Sequence, residues 1–399
     1  MRKVIFLAGL FPKETRNEIE SNSVGVIQYA ADALQWAIVN GLDNFCKNNF
    51  KLVNLPYVGS FPKRYKQIKI NTYSFSHRED SNDINIGFIN LPLVKLFSRY
   101  YNAKKELKNI LQDENEVILI YAMHTPFIKA AVDLKNKNPS IKICLIVPDL
   151  PEFMSDNTNF IFNFLKSKEN KILDRLLSKV DSFVVLSDYM YEPLQIGDRP
   201  WVRVEGIFTS KEDFEIVEKE NYKTILYTGT LAKRYGILNL LEAFAMIKDE
   251  KYRLWICGDG DAKEELNKMA KNDSRITNFG QISREEVLSL QKKATVLVNP
   301  RTSEGEYTKF SFPSKTMEYL ASGTPCIMHN LMGVPKEYFD YCFVSKNETS
   351  IGLYETIVWV CEKSQSELNE FGIEAKKFIL ENKSPKKQCE KIYNMLIKL

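Results

Sequence analysis

The segment FSFPSKTMEYLASGTPCI, residues 310–327, predicts a loop, a short helix and a buried strand in immediate succession. Pro313 suits the first helical turn, where its missing N–H costs nothing, and Gly323 can adopt the left-handed conformation that ends a helix. Lys315 and Glu318 are three residues apart, so both project near the helix N-terminus. Such a site suits a nucleoside diphosphate, because amides and a lysine bind phosphate oxygens while a carboxylate accepts from ribose hydroxyls. The alternative is a capped amphipathic helix with a surface ion pair.

On both sides of this segment, short apolar runs alternate with longer helical patterns. Most of the runs contain no polar residue, which is typical of parallel strands buried on both faces. The helical patterns, which include Val24–Asn40, Leu238–Ile247 and Ala262–Ala270, fit right-handed crossovers between such strands. The predicted strands are Val4–Leu7, Val117–Tyr121, Ile143–Val147, Phe183–Leu186, Thr224–Tyr227, Arg253–Cys257, Thr295–Val298 and Cys326–Met328.

Composition indicates a globular protein of two domains. The chain has 399 residues, of which 44% are hydrophobic and 27% charged, and its net charge of +4 is too small to favour nucleic acid as a partner. The seven cysteines lack the close spacing of a metal site, so we expect small buried residues in a reducing compartment. The apolar N-terminus predicts a first strand rather than a signal peptide, and no apolar run approaches a membrane span. We therefore expect a cytoplasmic protein.

The 310–327 segment closely resembles the nucleotide-sugar signature of retaining family 4 glycosyltransferases of the bacterial polysaccharide-biosynthesis type. The resemblance covers most of the chain and is strongest over residues 222–330. It implies an α/β protein of the GT-B fold, with two Rossmann-like, doubly wound parallel-sheet domains facing a cleft. We expect an N-terminal acceptor domain over residues 1–205 and a donor domain over 206–383. A basic C-terminal helix, 384–399, would pack back on the first domain.

The resemblance also assigns donor-binding residues. Glu318 corresponds to the later of two family glutamates, the one that binds the donor ribose. The earlier glutamate of the pair would fall at Phe310, and Glu304 or Glu306 is a candidate replacement for it. The loop after the predicted strand Thr224–Tyr227 resembles the family's phosphate loop, which puts Lys233 or Arg234 at the diphosphate. The remaining donor-binding candidates are Gly25, at the start of the first long helix, and Gly229, Thr230, Gly258, Arg301, Ser314 and Lys315.

Arg301 and a pair of aspartates can each be interpreted in two ways. Arg301 follows a strand end and can approach the donor, or it can be a structural arginine paired with Glu304. Asp259 and Asp261 form an Asp-x-Asp pattern, which holds a metal in a different glycosyltransferase fold. We interpret it as a turn, because the resemblance implies no metal and no other cofactor.

The catalytic candidates are His124, Asp149, Lys233 and Glu318. His124 follows a strand end and can face the cleft or be a structural histidine. At the next strand end the family has a His-Asp pair, where this chain has Pro148 and Asp149. A retaining transferase can tolerate that change, since its chemistry needs leaving-group stabilisation more than a general base. Asp149 or Glu152 could orient the acceptor hydroxyl.

The predicted function is transfer of a hexosyl or N-acetylhexosaminyl group from a nucleoside diphosphate donor, UDP rather than GDP, to a glycan or lipid-linked acceptor. Residues 95–108 are basic and aromatic. This composition predicts contact with the anionic inner face of the membrane or with a polyprenyl-diphosphate acceptor, and the alternative is an ordinary solvated helix face. Two other functions remain open. One is a non-catalytic GT-B partner of a glycosyltransferase. The other is a nucleotide-sugar 2-epimerase, which needs several carboxylates and histidines in its cleft and is disfavoured because the chain has only three histidines.

Overall fold

The computed structural model describes residues 2–111, 115–150, 171–209 and 217–399. The chain divides into two compact units. The first unit comprises Met1–Ile207 together with Pro385–Leu399, and the second comprises Phe208–Ser384.

The first unit is built on an eight-stranded sheet in the order β10-β9-β8-β7-β1-β2-β5-β4. All neighbours in this sheet are parallel except β4 and β5, and a separate antiparallel pair joins β3 to β6. The strands are β1 Lys3–Ala8, β2 Phe50–Asn54, β3 Lys69–Ile70, β4 Tyr73–Phe75, β5 Asp83–Asn85, β6 Phe88–Ile89, β7 Glu116–Tyr121, β8 Lys142–Val147, β9 Ser182–Val185 and β10 Trp201–Arg203.

Helices cover the first sheet, and one of them begins later than predicted. The first long helix starts at Tyr29 rather than at residue 24, because Gly25 has a φ of +80° and interrupts the helical conformation. The Arg64 Nε also donates to the Val24 carbonyl at 3.2 Å and holds this loop in place. The helices of the unit are Arg16–Asn22, Tyr29–Cys46, Val94–Ile110, Thr125–Lys135 and Pro385–Leu396, and residues 171–177 are helical as well.

The C-terminal helix, Pro385–Leu396, packs on the helix Tyr29–Cys46. The Phe45 and Tyr393 rings stack with centroids 5.3 Å apart. The two helices approach closely at Gly41, where an added Cβ would lie 2.4 Å from the Pro385 carbonyl oxygen. The end of the chain therefore completes the core of the first unit.

The second unit contains a six-stranded, fully parallel sheet in the order β13-β12-β11-β14-β15-β16. Its strands are β11 Lys223–Thr228, β12 Tyr252–Cys257, β13 Ile276–Gly280, β14 Val296–Asn299, β15 Cys326–Met328 and β16 Phe343–Val344. Its helices are Ile237–Met246, Lys263–Asn272, Arg284–Lys293, Lys315–Ala321, Ser350–Cys361 and Gln365–Asn382.

All eight predicted strands are present, and the prediction of buried parallel strands is confirmed. The strands that were missed are short or carry polar residues, as β2 and β13 do. All seven cysteines are free and buried, as predicted. Within the described parts of the chain, no helix has both the length and the apolarity needed to cross a membrane.

Each large sheet has a point where the strand order reverses. In the first sheet β1 lies between β2 and β7, and in the second sheet β11 lies between β12 and β14. Parallel sheets open a crevice at the carboxyl ends of the strands at such a switch point, and ligands bind there. The two crevices are therefore where functional residues should be sought.

Candidate functional site

A cavity of about 330 Å³ lies at the switch point of the second sheet. Its wall includes Gly229 and Thr230, which follow β11, and Arg301, which follows β14. Ser314 and Lys315 complete the wall from the start of the helix Lys315–Ala321. The structure thus brings together five of the predicted donor-binding residues.

Polar contacts attach the helix Lys315–Ala321 to the ends of β11 and β14. The buried Tyr319 hydroxyl accepts a hydrogen bond from the Thr228 N–H at 2.8 Å and lies 3.0 Å from the Thr228 carbonyl oxygen. On the other side, the Asn299 amide donates to the Thr316 hydroxyl at 3.2 Å. The start of this helix is therefore fixed at the cavity.

Lys315 and Glu318 form an ion pair beside this cavity. The Lys315 Nζ donates to the Glu318 Oε1 at 3.0 Å, and the Gln291 amide donates to the same oxygen at 2.8 Å. Gln291 is completely buried and its amide also reaches the Thr228 hydroxyl at 3.2 Å. An ammonium has three N–H donors, so the ion pair leaves Lys315 with donors for a ligand.

Two glycines shape the cavity edge. Gly229 has a φ of +146° and Gly258 a φ of +145°, which side chains rarely tolerate. A Cβ at Gly258 would lie only 1.8 Å from the Gly229 carbonyl oxygen. Gly258 is therefore required for contact between the ends of β11 and β12 and shapes the cavity only through Gly229, because Gly258 itself is not part of the wall.

Arg301 is held by a hydroxyl and two aromatic rings. Its guanidinium donates to the Ser311 hydroxyl at 2.9 Å and lies 5.3 Å from the Tyr235 ring and 5.1 Å from the Tyr307 ring. Glu304, the alternative partner, is exposed. The Arg301 Nε is buried and has no partner within the described residues, so the guanidinium retains donor capacity at the cavity.

Lys233 and Arg234 do not contribute to the cavity wall. The Lys233 ammonium pairs with Glu265, and this hydrogen bond raises the pKa of Lys233 above its usual value. The Arg234 guanidinium lies 5.2 Å from the Tyr235 ring. Their role at the diphosphate stays a prediction that requires Lys233 to leave Glu265.

The carboxylates considered for a metal or for the donor sugar also lie outside the wall. Asp259 pairs with Lys263 at 3.2 Å, and Asp261 accepts the Lys233 N–H at 2.8 Å, as expected of a turn. Among the described residues, no group of three His, Cys, Asp or Glu side chains could hold a metal ion. Glu304 and Glu306, the candidate replacements for the glutamate missing at Phe310, are both exposed.

A second cavity, of about 670 Å³, lies at the switch point of the first sheet. It collects residues from several strand ends: Phe11 after β1, Tyr57 after β2, His124 after β7 and Asp149 after β8. Pro148 is also in its wall, whereas Gly25 lies in the adjacent loop. The two catalytic candidates of the first unit, His124 and Asp149, are thus in one cavity, whereas Glu152, the alternative to Asp149, lies outside the described residues.

His124 is neutral in this cavity. Burial lowers its pKa well below the usual value, and the charges of Arg99 and Lys95 lower it further. The His124 ring meets the Tyr57 and Phe127 rings edge-on, with centroids 5.6 and 4.6 Å away. Its Nε2 is buried without a partner in the described part of the chain. Desolvation disfavours the charged form of Asp149 too, and therefore raises its pKa.

The predicted basic face of residues 95–108 requires a correction. Arg99 is only 1% exposed, because its guanidinium donates to the Leu55 and Pro56 carbonyls at 2.6 and 3.1 Å. Lys104 pairs with Asp133 at 2.6 Å. Neither cation is free on the surface, and Arg99 instead belongs to the wall of the first-unit cavity.

Comparison with known proteins shows what this architecture is similar to. Residues 208–378 match the family model described as Glycosyl transferases group 1. An uncharacterized glycosyltransferase of Methanocaldococcus jannaschii is 26% identical over 302 residues, 71% of this chain and 79% of that protein. Sucrose-phosphate synthase from Thermosynechococcus elongatus matches with a TM-score of 0.64 at 14% identity, over 100% of this chain and 99% of its own. Anabaena HepE in complex with UDP has a TM-score of 0.63 at 12% identity, over 100% of both chains.

The chain has the GT-B fold of glycosyltransferases. The fold expected from the 310–327 segment is thus confirmed. The family match and the Methanocaldococcus relative support glycosyl transfer as the activity. The matched segment contains the whole second-unit cavity, with Lys315 and Glu318.

Proposed function

We propose that this chain is a retaining glycosyltransferase of the family 4 type that acts in cell-surface polysaccharide or glycoconjugate synthesis. It would transfer a hexosyl or N-acetylhexosaminyl group from a UDP-sugar to a glycan or lipid-linked acceptor. The observation that carries the proposal is the Lys315–Glu318 pair, which Gln291 anchors beside a cavity inside the segment that matches the glycosyl transferase family.

Each donor-site residue has a role in this proposal. Lys315 donates to the diphosphate and stabilises the charge that develops on it as the sugar departs. Glu318 keeps one carboxylate oxygen for the ribose hydroxyls, since both protein donors use the other oxygen. Gly229 leaves room for the phosphates, and Arg301 supplies a further cation near the sugar. UDP is favoured over GDP because HepE, which shares the fold, binds UDP in its solved structure.

The first-unit cavity supplies the acceptor side in this proposal. Asp149 orients the acceptor hydroxyl, and neutral His124 offers an unprotonated ring nitrogen as a hydrogen-bond acceptor. No metal or other cofactor is required, because cationic side chains stabilise the leaving diphosphate. We propose a cytoplasmic enzyme in peripheral contact with the inner face of the membrane, which the exposed Lys105 and Lys108 beside the exposed Phe97 and Tyr101 support.

Product analysis tests the proposal. The purified chain is incubated with UDP-hexoses, UDP-N-acetylhexosamines and their GDP counterparts, together with a lipid-linked acceptor extract. We expect mass spectrometry to show one added sugar from a UDP donor, and NMR to show that the anomeric configuration of the donor is kept. A non-catalytic partner would form no product with any donor. A 2-epimerase would convert the nucleotide sugar without an acceptor.

A further inference from the structure

Exposed apolar side chains gather at the mouth of the first-unit cavity. Val26, Leu93 and Leu96 belong to its wall, yet they are 76%, 81% and 47% exposed. Phe97 and Tyr101 follow Leu96 in the helix Val94–Ile110 and are 66% and 63% exposed. Single exposed apolar residues are common on protein surfaces, but a contiguous group at a cavity marks an interaction site.

Hydrogen bonds fix this apolar rim in place. Arg64 holds the Val24 carbonyl, and the Lys95 ammonium donates to the Val58 carbonyl. The Asn90 side chain ties the segment before Leu93 to the Gly59 carbonyl at 2.9 Å. Leu93 itself has a φ of +67°, which is uncommon for a leucine. The segments that carry the rim are therefore fixed by hydrogen bonds, with the Leu93 side chain exposed to solvent.

The cavity wall behind this rim carries excess positive charge. Three cations line it, Arg64, Lys95 and Arg99, against one described acid, Asp149. Arg99 is buried, and the described residues provide it with carbonyl and aromatic contacts but no carboxylate. Its Nε has no partner among them. A buried cation that lacks a counter-charge is costly, and an anionic ligand would reduce that cost.

We propose that the first-unit cavity binds the phosphate of a lipid-linked acceptor. Lys95 contacts the phosphate, buried Arg99 reinforces the positive potential behind it, and Val26, Leu93 and Leu96 contact the adjoining hydrocarbon. Because apolar rim and cationic wall belong to one cavity, an amphiphile fits them better than a free glycan or a soluble sugar phosphate. This inference rests on the proposed function, of which it names the acceptor class.

Calorimetric titration of the full chain tests the inference with three probes. Farnesyl diphosphate carries both groups, farnesol only the lipid, and inorganic pyrophosphate only the phosphate. The titrations contain saturating UDP, which occupies the donor site. We expect farnesyl diphosphate to bind at least about 10-fold more tightly than either partial probe. Farnesol lacks the charge-assisted hydrogen bonds, and pyrophosphate lacks the hydrocarbon burial, and each contribution alone exceeds about 1.4 kcal/mol. Equal binding of pyrophosphate would indicate a soluble phosphorylated acceptor, and equal binding of farnesol an apolar groove; either result overturns the proposal.

Variants place the binding in this cavity. Lys95→Gln should weaken farnesyl diphosphate binding by about 10- to 100-fold, and Lys95→Arg should restore most of it. Replacing Leu93 and Leu96 by Ser should weaken farnesyl diphosphate but leave pyrophosphate unchanged. The matched controls are Lys108→Gln, exposed on the same helix, and Ile351→Ser, an exposed apolar residue of the second unit. An unchanged affinity in Lys95→Gln would overturn the proposal.

The same titrations separate this inference from the proposed function. If UDP binds and farnesyl diphosphate does not, the acceptor class is wrong while the donor site stands. If farnesyl diphosphate binds at Lys95 and no nucleotide diphosphate binds at all, the lipid-phosphate site stands and the proposed glycosyl transfer fails. UDP affinity should be the same in Lys95→Gln as in the wild type, because the donor site lies in the second unit. Recovery of farnesyl diphosphate binding in Lys95→Arg separates loss of the cation from misfolding of the first unit.

Discussion

Glu318 owes its position to Gln291, which lies 27 positions earlier in the chain and is completely buried. We expect Gln291→Met, which keeps the side-chain volume but removes the amide donor, to weaken UDP binding by about 2- to 10-fold. The loss is smaller than that of a direct charge-assisted contact, because Gln291 acts on the ribose only through Glu318. Pyrophosphate affinity should not change, because Glu318 would contact the ribose. Isothermal calorimetry measures both constants.

Gln365→Met is the matched control, because Gln365 lies on the exposed surface of the same unit. Glu318→Gln should give the same selective loss for UDP. A parallel loss of UDP and pyrophosphate affinity in Gln291→Met would mean that Gln291 supports the fold of the cavity rather than the ribose contact.

For single residues, the sequence predicted contacts between side chains that lie close together along the chain. Lys315 and Glu318 share one short helix, so their contact follows from their spacing. Gln291 is brought to them by tertiary packing, which no local pattern reveals. Arg99 had a visible signal, because it falls in the helical stripe of Ala103 and Leu107, which is buried. A charged residue in an apolar stripe indicates a buried cation.

His77 links two elements of the first unit through paired carboxylates. Its Nδ1 lies 2.6 Å from Asp83 in β5, and its Nε2 lies 3.3 Å from Asp43 in the helix Tyr29–Cys46. Burial alone would lower the pKa of His77, but both carboxylates outweigh it and the pKa is raised. The Arg78 guanidinium shares one of these carboxylates with His77, because its Nε lies 3.2 Å from Asp43.

The raised pKa of His77 predicts a pH-dependent stability. A group whose pKa is higher in the folded state stabilises fully below its unfolded pKa, about 6.5, and loses that contribution as pH rises through the folded pKa. The wild type should therefore exceed His77→Gln in urea stability most at pH 6 and progressively less towards pH 9. The pKa of Asp83 is lowered, so this carboxylate remains ionised over that range. A difference that stays constant with pH would refute the linkage.

The packing of the C-terminal helix predicts a second element-scale effect. Gly41→Ala would place a Cβ 2.4 Å from both the Pro385 carbonyl oxygen and the Cys389 Sγ. Overpacking costs about 1–3 kcal/mol, which exceeds the helix-propensity gain of about 1 kcal/mol. We expect urea unfolding to show a net destabilisation. Asn40→Ala, at an exposed position of the same helix, is the control and should be near neutral; equal stability of both variants would contradict the close packing.

Element boundaries show where local sequence ceased to be sufficient. The apolar pattern of the first long helix extends back to residue 24, but Gly25 interrupts the helix with its φ of +80°, and Arg64 donates to the Val24 carbonyl of the same loop. That contact spans 40 positions and could not be predicted. The strands β3, β6 and β16 have only two residues each, too few for any pattern.

At the scale of the whole molecule, both cavities follow from topology. The sequence predicted the central strands of each sheet because these strands are uninterrupted apolar runs. It also predicted that ligand residues follow strand ends. It did not reveal which strand ends adjoin, because strand order depends on pairing between distant segments. The reversal of strand order at β1 and at β11 explains why residues as distant in the chain as Phe11 and Asp149 share one cavity.

Calorimetric titration of UDP into the wild type, Lys315→Ala and Lys336→Ala tests the central claim most directly. Lys336 is an exposed lysine of the same unit that lies outside the cavity wall. We predict that the wild type and Lys336→Ala bind UDP alike, and that Lys315→Ala binds about 10- to 150-fold more weakly, the loss of one charge-assisted hydrogen bond. A wild type that binds neither UDP nor GDP, or an unchanged dissociation constant in Lys315→Ala, would contradict the account.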